Sequence, residues 1–331
     1  MMNRLFLVTG GEQFDDAAKR PEGARSEYAK LLEVDFETRS INTRIRYKAT
    51  TEHYPDDAPN TFFVSAALED TLLYLCTSTE LFLYHYPDLN LIRRVSYPFF
   101  QNIHHALPYK NTVAVCSTGL DLIVFLDKQT LEPVTFVHAL GKDPWHKYSR
   151  DVDYRKILSL KPHESHPNFL FELDGNLWVT RFNQMDAVCL NDFEKTITIG
   201  VERPHDGFVA GEKVFFTTVN GCIVKADINS LTVEDVIDLN DIEQSPSPLG
   251  WCRGLFVDGD LAYVGFSRIR PTRIKENLKW MLGMVKGDRE NQTRIAVYNL
   301  KQKVKTDELI MPRDNLSALY SILPVVDGAS G

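Results

Sequence analysis

Val124-Phe125-Leu126-Asp127-Lys128-Gln129-Thr130 and Val224-Lys225-Ala226-Asp227-Ile228-Asn229-Ser230 share one pattern, a β-prone run that ends in Asp and then a short polar turn. An Asp or Asn in that place accepts hydrogen bonds from its own backbone two residues on, which closes a turn between antiparallel strands. Four further copies are Leu32-Glu33-Val34-Asp35-Phe36-Glu37-Thr38, Leu83-Tyr84-His85-Tyr86-Pro87-Asp88, Val188-Cys189-Leu190-Asn191-Asp192 and Val297-Tyr298-Asn299-Leu300, so the unit occurs six times. Upstream of most copies lies a second hairpin. Examples run from Phe169 to Thr180 around Asp174-Gly175-Asn176, from Gly207 to Thr218 around Gly211-Glu212, and from Gly254 to Phe266 around Asp258-Gly259-Asp260. Each repeat thus carries four strands in about 40 residues, and four-stranded antiparallel units at that period in an all-β chain are the blades of a propeller. Six copies predict a six-bladed β-propeller. The first repeat, Leu5 to Arg46, lacks its innermost strand, while an apolar segment, Leu316 to Val326, is left over at the C-terminus. The last segment is therefore expected to complete blade one and close the ring, leaving no open sheet edge between the two ends.

Composition agrees with one globular domain over residues 1–331: 44% of residues are apolar and 25% charged, and 37 basic against 45 acidic residues give a net charge of −8. A chain of this length buries about three quarters of its unfolded surface. No run approaches the ~18–20 apolar residues of a membrane span, and Leu5-Phe6-Leu7-Val8 is not followed by a signal-peptide cleavage site. The expectation is a cytoplasmic protein without a membrane partner. The acidic balance and the lack of Lys/Arg blocks argue against nucleic acid as a partner. The five cysteines, Cys76, Cys116, Cys189, Cys222 and Cys252, form no Cys-x-x-Cys pair. They read as small core hydrophobes.

Two segments break the repeat. Residues 141–165, rich in charge and aromatics (Trp145, His146, Tyr148, Tyr154), lengthen the connection between blades three and four. Residues 270–287 interrupt blade six with Ile274, Leu278, Met281, Leu282 and Val285 at helical spacing, which predicts an amphipathic helix placed to cover one mouth of the ring. Long insertions on a regular scaffold often carry function.

Aligning the inner hairpins on their turns puts unusual residues where the innermost strands begin: His104, His166, His205 and Arg253. His104, His205 and Arg253 each lie eight residues before the matched second-strand starts Thr112, Lys213 and Leu261, whereas His166 lies eleven before Leu177, implying a longer hairpin there. In a propeller these positions surround the axis, so three imidazoles and a guanidinium are expected to converge. A one-residue shift of the strand would bring in His105 instead of His104. Neutral imidazoles from His104, His166 and His205 suit a transition metal such as Zn or Fe, with positions left open for substrate. Alternatively, His donors with a bidentate Arg253 suit a carboxylate, phosphate or sulfate. The connections after the second strands add Arg181, Thr218, Ser267 and Arg268 around the mouth, and Asn168 follows His166. Arginines in an acidic protein favour an anionic ligand.

His166-Pro167-Asn168, Pro204-His205-Asp206-Gly207 and Cys252-Arg253-Gly254-Leu255 resemble the inner-strand motifs of a family of bacterial conserved hypothetical proteins read as six-bladed β-propellers. Ser117-Thr118-Gly119-Leu120-Asp121 and Gly265-Phe266-Ser267-Arg268 resemble two further segments of it. The likeness covers roughly residues 100–326, with Asp206-Gly207 standing where the family has Ser-Pro and the N-terminal third matching poorly. It implies the fold and the ring of His and Arg, and carries no reaction with it.

The expectation is therefore a propeller whose axial mouth binds, and as an enzyme transforms, a small polar anionic molecule. The enzyme form of this reading is a metal-dependent lyase, isomerase, hydrolase or oxygenase of a biosynthetic pathway, with a ring histidine as base and Arg253 stabilising negative charge. The rival class is a non-catalytic propeller that recruits a protein or peptide on its face.

Overall fold

Alternation along single strands explains how the blades stack. In the run from Val113 to Cys116, Val113 and Val115 pack with Cys76, Leu81 and Leu83, while Ala114 and Cys116 pack with Leu170, Leu177 and Val179. Successive side chains of a strand point to opposite faces, so a strand buried on both faces reads as a continuous apolar run. Each such strand serves two interfaces.

The structure, a computed structural model, describes residues 5–15, 26–55, 60–245, 249–268, 292–312 and 315–325. Blade one contains β1 (Leu5–Gln13), β2 (Ser26–Asp35) and β3 (Ser40–Tyr47), and blade two β4 (Ser65–Glu69), β5 (Leu72–Cys76), β6 (Leu81–His85) and β7 (Asn90–Val95). Blade three contains β8 (Ile103–Tyr109), β9 (Thr112–Ser117), β10 (Leu122–Asp127) and β11 (Pro133–His138), and blade four β12 (Pro167–Leu173), β13 (Asn176–Arg181), β14 (Asp186–Cys189) and β15 (Asp192–Thr198). Blade five contains β16 (Pro204–Ala210), β17 (Lys213–Thr218), β18 (Cys222–Asp227) and β19 (Val233–Asp238), followed by a short helix, α1 (Leu239–Glu243). Blade six contains β20 (Trp251–Asp258), β21 (Leu261–Ser267), β22 (Arg294–Asn299) and β23 (Val304–Ile310). The last strand, β24 (Ala318–Pro324), pairs antiparallel with β1, Phe6 opposite Pro324 and Val8 opposite Ile322.

The result is six four-stranded antiparallel sheets in a ring, with blade one ordered β24-β1-β2-β3. β4, β8, β12, β16, β20 and β24 form the inner wall, each touching the next. Six apolar clusters fill the six blade-to-blade interfaces. Ser267 fastens the closure: its hydroxyl donates to the Leu319 carbonyl (2.7 Å) and accepts from the Leu319 N–H (2.9 Å).

The two strongest repeat copies form the expected turns. Asp127 Oδ1 accepts from the Gln129 and Thr130 N–H groups at 3.0 and 2.8 Å, and Asp227 Oδ1 accepts from Asn229 and Ser230 at the same distances. Blade four departs from this pattern, because Asn191 Oδ1 reaches back to the Leu177 N–H (3.2 Å). All five cysteines are free and buried, as small hydrophobes would be. The insertion at 141–165 packs Tyr154 into the interface of blades two and three. The helix expected over residues 270–287 lies outside the described residues. Among the described residues no helix is long and apolar enough to cross a membrane.

Candidate functional site at the propeller axis

Each inner strand of blades three to six opens with a β-bulge: between Ile103 and His105, Pro167 and Phe169, His205 and Phe208, and Cys252 and Leu255. A bulge inserts one unpaired residue and re-aims the side chains around it. Asp206 (φ 59°) and Gly254 (φ 79°) supply the left-handed backbone that two of these bulges need. Glycine adopts that conformation without penalty, and Asp tolerates it better than most residues.

The register corrects one expectation. β13 begins at Asn176 rather than Leu177, and its hairpin with β12 is as short as the others, so the residue eight places before the second strand is Asn168 and not His166. The equivalent positions are His104, Asn168, His205 and Arg253. Val64 and Ser65 at the entry to β4, Tyr320 and Ser321 of β24, and His105, Phe169 and Asp206 beside the four complete the lining of an axial cavity. It holds about 320 Å³ of space not filled by protein atoms, part of it open to solvent. Tyr320 was not singled out in the sequence, because its strand is followed by no hairpin from which to count.

The lining sets one permanent cation, Arg253, and one carboxyl, Asp206, among neutral imidazoles. His104 is half-buried, and its Nδ1 lies 2.9 Å from the Asn102 carbonyl. A carbonyl only accepts, so Nδ1 carries the proton and Nε2 presents a lone pair. Burial, then the Arg253 charge, pushes the His104 pKa down to about 3. Burial and Arg253 likewise hold His205 well below the ordinary histidine range. His205 is only 5% exposed, and its Nε2 has no hydrogen-bond partner among the described residues. Asn168 donates from Nδ2 to the Pro204 carbonyl (2.8 Å), while its buried Oδ1 has no partner. Asp206 is buried beside them and accepts from the Thr217 hydroxyl and the Gly254 N–H (3.1 Å). Burial pushes its pKa up to about 6 against the pull of these bonds and of Arg253. The Arg253 guanidinium lies over the Tyr320 ring at 5.5 Å, and Phe62 stacks on that ring at 4.8 Å. Unpaired buried polar atoms are rare in folded proteins and mark places where a ligand or water belongs.

Other expected residues are used differently. His166 stands just outside the cavity lining, its ring 4.9 Å from that of His104 and its Nδ1 2.6 Å from His163 Nδ1. Its N–H is one of three, with those of Glu164 and Ser165, that bond the Asp121 carboxylate, which anchors the end of the insertion on blade three. His105 lines the cavity but stacks on Phe169 at 3.9 Å and accepts from the Leu170 N–H at 3.3 Å. Phe182, not foreseen, lies between His166 (4.8 Å) and His205 (5.5 Å). Arg181 pairs with Asp186 and donates to the Ala139 carbonyl (3.0 Å), tying blade four to blade three. Thr218 bonds Asn220 and the Cys222 N–H within its own turn, and Ser267 fastens β24. Thr293 Oγ1 accepts from the Arg268 N–H at 3.4 Å. None of these four lines the cavity.

The ligating atoms of His104, His166 and His205 do not gather into a three-ligand set. Among the described residues such a gathering occurs at His138, His146 and Glu164, within 4.8 Å of one another. There His138 Nδ1 accepts from the Leu140 N–H (3.1 Å), which puts the ring proton on Nε2, the atom facing Glu164 at 3.7 Å. A protonated nitrogen is no metal ligand. Lys142 (3.0 Å) and His146 (2.9 Å) already surround the Glu164 carboxylate. The cluster is a polar network that joins the end of β11 to the insertion.

No family model matches this chain, and no curated protein matches it. Solved structures do. A protein of unknown function from Bacteroides caccae aligns with a TM-score of 0.62 at 14% identity, covering 98% of this chain and 99% of that one. The β-propeller domain of Cps50 (Swd1) from Myceliophteria thermophila aligns at 0.52 and 9% identity, covering 94% and 90%. A chain of a mitotic checkpoint complex aligns at 0.52 and 7% identity, covering 94% and 83%. At these identities the likeness is one of fold: this chain is built as a six-bladed β-propeller.

Proposed function

We propose that the axial mouth binds a small polar anion. The observation that carries this reading is the convergence, at one register position of successive inner strands, of a permanent cation, Arg253, with two buried polar side chains that each keep one atom without a partner among the described residues, His205 Nε2 and Asn168 Oδ1. A cation in a narrow, partly desolvated cavity attracts an anion far more strongly than one on an open surface. The apolar wall of Val64 and Tyr320 suits a small carbon skeleton. As an enzyme, the protein would use Arg253 to stabilise developing negative charge, while His104, held at about 3 by burial and by Arg253, stays a neutral hydrogen-bonding group rather than a proton acceptor. A Zn or Fe ion is the weaker occupant, since His166 is turned to His163 rather than to the cavity.

Thermal shifts of the tag-free protein with small carboxylates, phosphate, sulfate and Zn²⁺ test this reading. The expected result is stabilisation by at least one anion, abolished in Arg253→Gln. Stabilisation by Zn²⁺ alone would replace the anion with a metal. No shift with any of them, together with capture of a protein that survives Arg253→Gln, would support the recruiting propeller instead.

A further inference from the structure

Resting on the anion reading, we infer that the axial site is proton-linked: an anion enters the cavity together with one proton, which Asp206 takes up. Asp206 is the one carboxyl in the lining, and it is only 5% exposed. It stands in the bulge of β16, one residue after His205. The Gly254 N–H reaches both of its oxygens, Oδ1 at 3.2 Å and Oδ2 at 3.1 Å, and the Thr217 hydroxyl donates to Oδ2. Those donors hold the carboxyl at the cavity wall. Oδ1, with one bond against two, is the oxygen better placed to carry a proton.

An anion in the same narrow cavity sets a second negative charge beside this carboxyl. Two like charges in a desolvated space do not both stay ionised, and the group with the weaker hold on its charge takes the proton. Sulfate keeps its charge near neutral pH; Asp206, already raised to about 6 by burial, does not. The elements packed around it supply no rival for that proton. His205 on its own strand and His104 and His105 on β8 are held far down, chiefly by burial, and stay neutral near pH 7. On β20, Arg253 keeps its charge, and burial pushes the Cys252 thiol well above its ordinary range. β17 offers the Thr217 hydroxyl, and β13 the Thr180 hydroxyl, which donates to the Asp206 carbonyl at 2.8 Å. β12 offers Asn168, whose amide keeps a second N–H beyond the one given to Pro204, while β4 and β24 add the hydroxyls of Ser65, Ser321 and Tyr320. The linkage asks nothing of Arg253 beyond the charge that the anion reading already uses. Affinity is therefore expected to rise about tenfold per unit as the pH falls toward 6, and to level off below it, where the free protein already holds the proton.

The test is calorimetric titration of the full, tag-free chain with sulfate, nitrate and formate, whose own charges are constant between pH 5.5 and 8. At pH 7 each titration is run in bis-tris and in Tris at one chloride concentration, so that the buffer-dependent heat counts the protons taken up. The expected result for at least one probe is an uptake of about one proton per anion bound by the parent and none by Asp206→Asn. The variant should bind as tightly at pH 8 as at pH 6, whereas the parent weakens between them. Thr217→Val removes a donor that favours the ionised carboxyl, so the pH at which affinity begins to fall should move upward. Circular dichroism verifies the fold of each variant. Binding by the parent without proton uptake, or with an uptake that persists in Asp206→Asn, overturns the linkage and leaves the anion site standing. Absence of binding of every probe by both proteins, from pH 5.5 to 8, overturns both.

Discussion

Asp206 has the most consequential environment of any single residue at the axis. Its carboxyl is pushed from 3.8 up to about 6 by burial, so the native state holds this proton more tightly than the unfolded chain does. The stabilisation linked to it is complete below about pH 4 and is lost as the pH rises through 6. The neutral histidines act in the opposite sense. His104 and His105, both held down at about 3 chiefly by burial, contribute fully above 6.5 and lose that contribution as the pH falls. The two trends are separated by Asp206→Asn, which keeps an acceptor for the Gly254 N–H. Between pH 4 and 7 the variant should gain on the parent by up to roughly 3 kcal/mol, measured by urea unfolding at each pH. Parallel curves would mean that Asp206 is solvated. The sequence showed Asp206-Gly207 plainly but not its burial, because only the bulge turns that carboxylate inward beside Thr217.

At the scale of elements, the interfaces between blades hold the ring. Phe216 on β17 is fully buried between blades four and five, with the Phe171 ring 6.0 Å away. Phe216→Ala should lower the unfolding free energy by about 3–5 kcal/mol, read from denaturant melts. Ser267→Ala removes both bonds to Leu319 and leaves a buried N–H without an acceptor. A loss of about 1–3 kcal/mol is expected, together with earlier proteolytic cleavage near β24. Unchanged melts would show that strand pairing with β1 alone secures the closure. The outer hairpins were legible because Asp127 and Asp227 close their turns with local bonds that any Asp in that place can make. The bulges were not legible, since an inserted residue leaves the apolar alternation on either side intact. That is why the sequence points to His166 where Asn168 holds the place, and to Arg181, Thr218 and Ser267 at the mouth where they bond within and between blades.

For the whole molecule, the six-bladed closure followed from two unmatched ends, a first blade short of one strand and a C-terminal strand left over; β24 beside β1 completes it. Removing residues 316–331 should therefore expose the inner edge of β1 and the cluster of Phe6, Val8 and Ile295. A chain lacking them is expected to lose its single cooperative transition in scanning calorimetry, whereas a retained sharp transition would show that five and three-quarter blades fold alone. The same closure brings Tyr320 beside Arg253 and so completes the axial site. The site's chemistry can be read most directly at that arginine. In protein labelled with ¹⁵N-arginine, the Arg253 Nε–H resonance, assigned by its disappearance in Arg253→Lys, is followed while malate and then sulfate are added. The account expects this resonance to shift saturably with at least one anion while those of Arg181 and Arg294, which already pair with Asp186 and Glu308, stay in place. A titration in which Arg253 does not move, or moves only as the exposed arginines do, would contradict an anion site at the propeller axis.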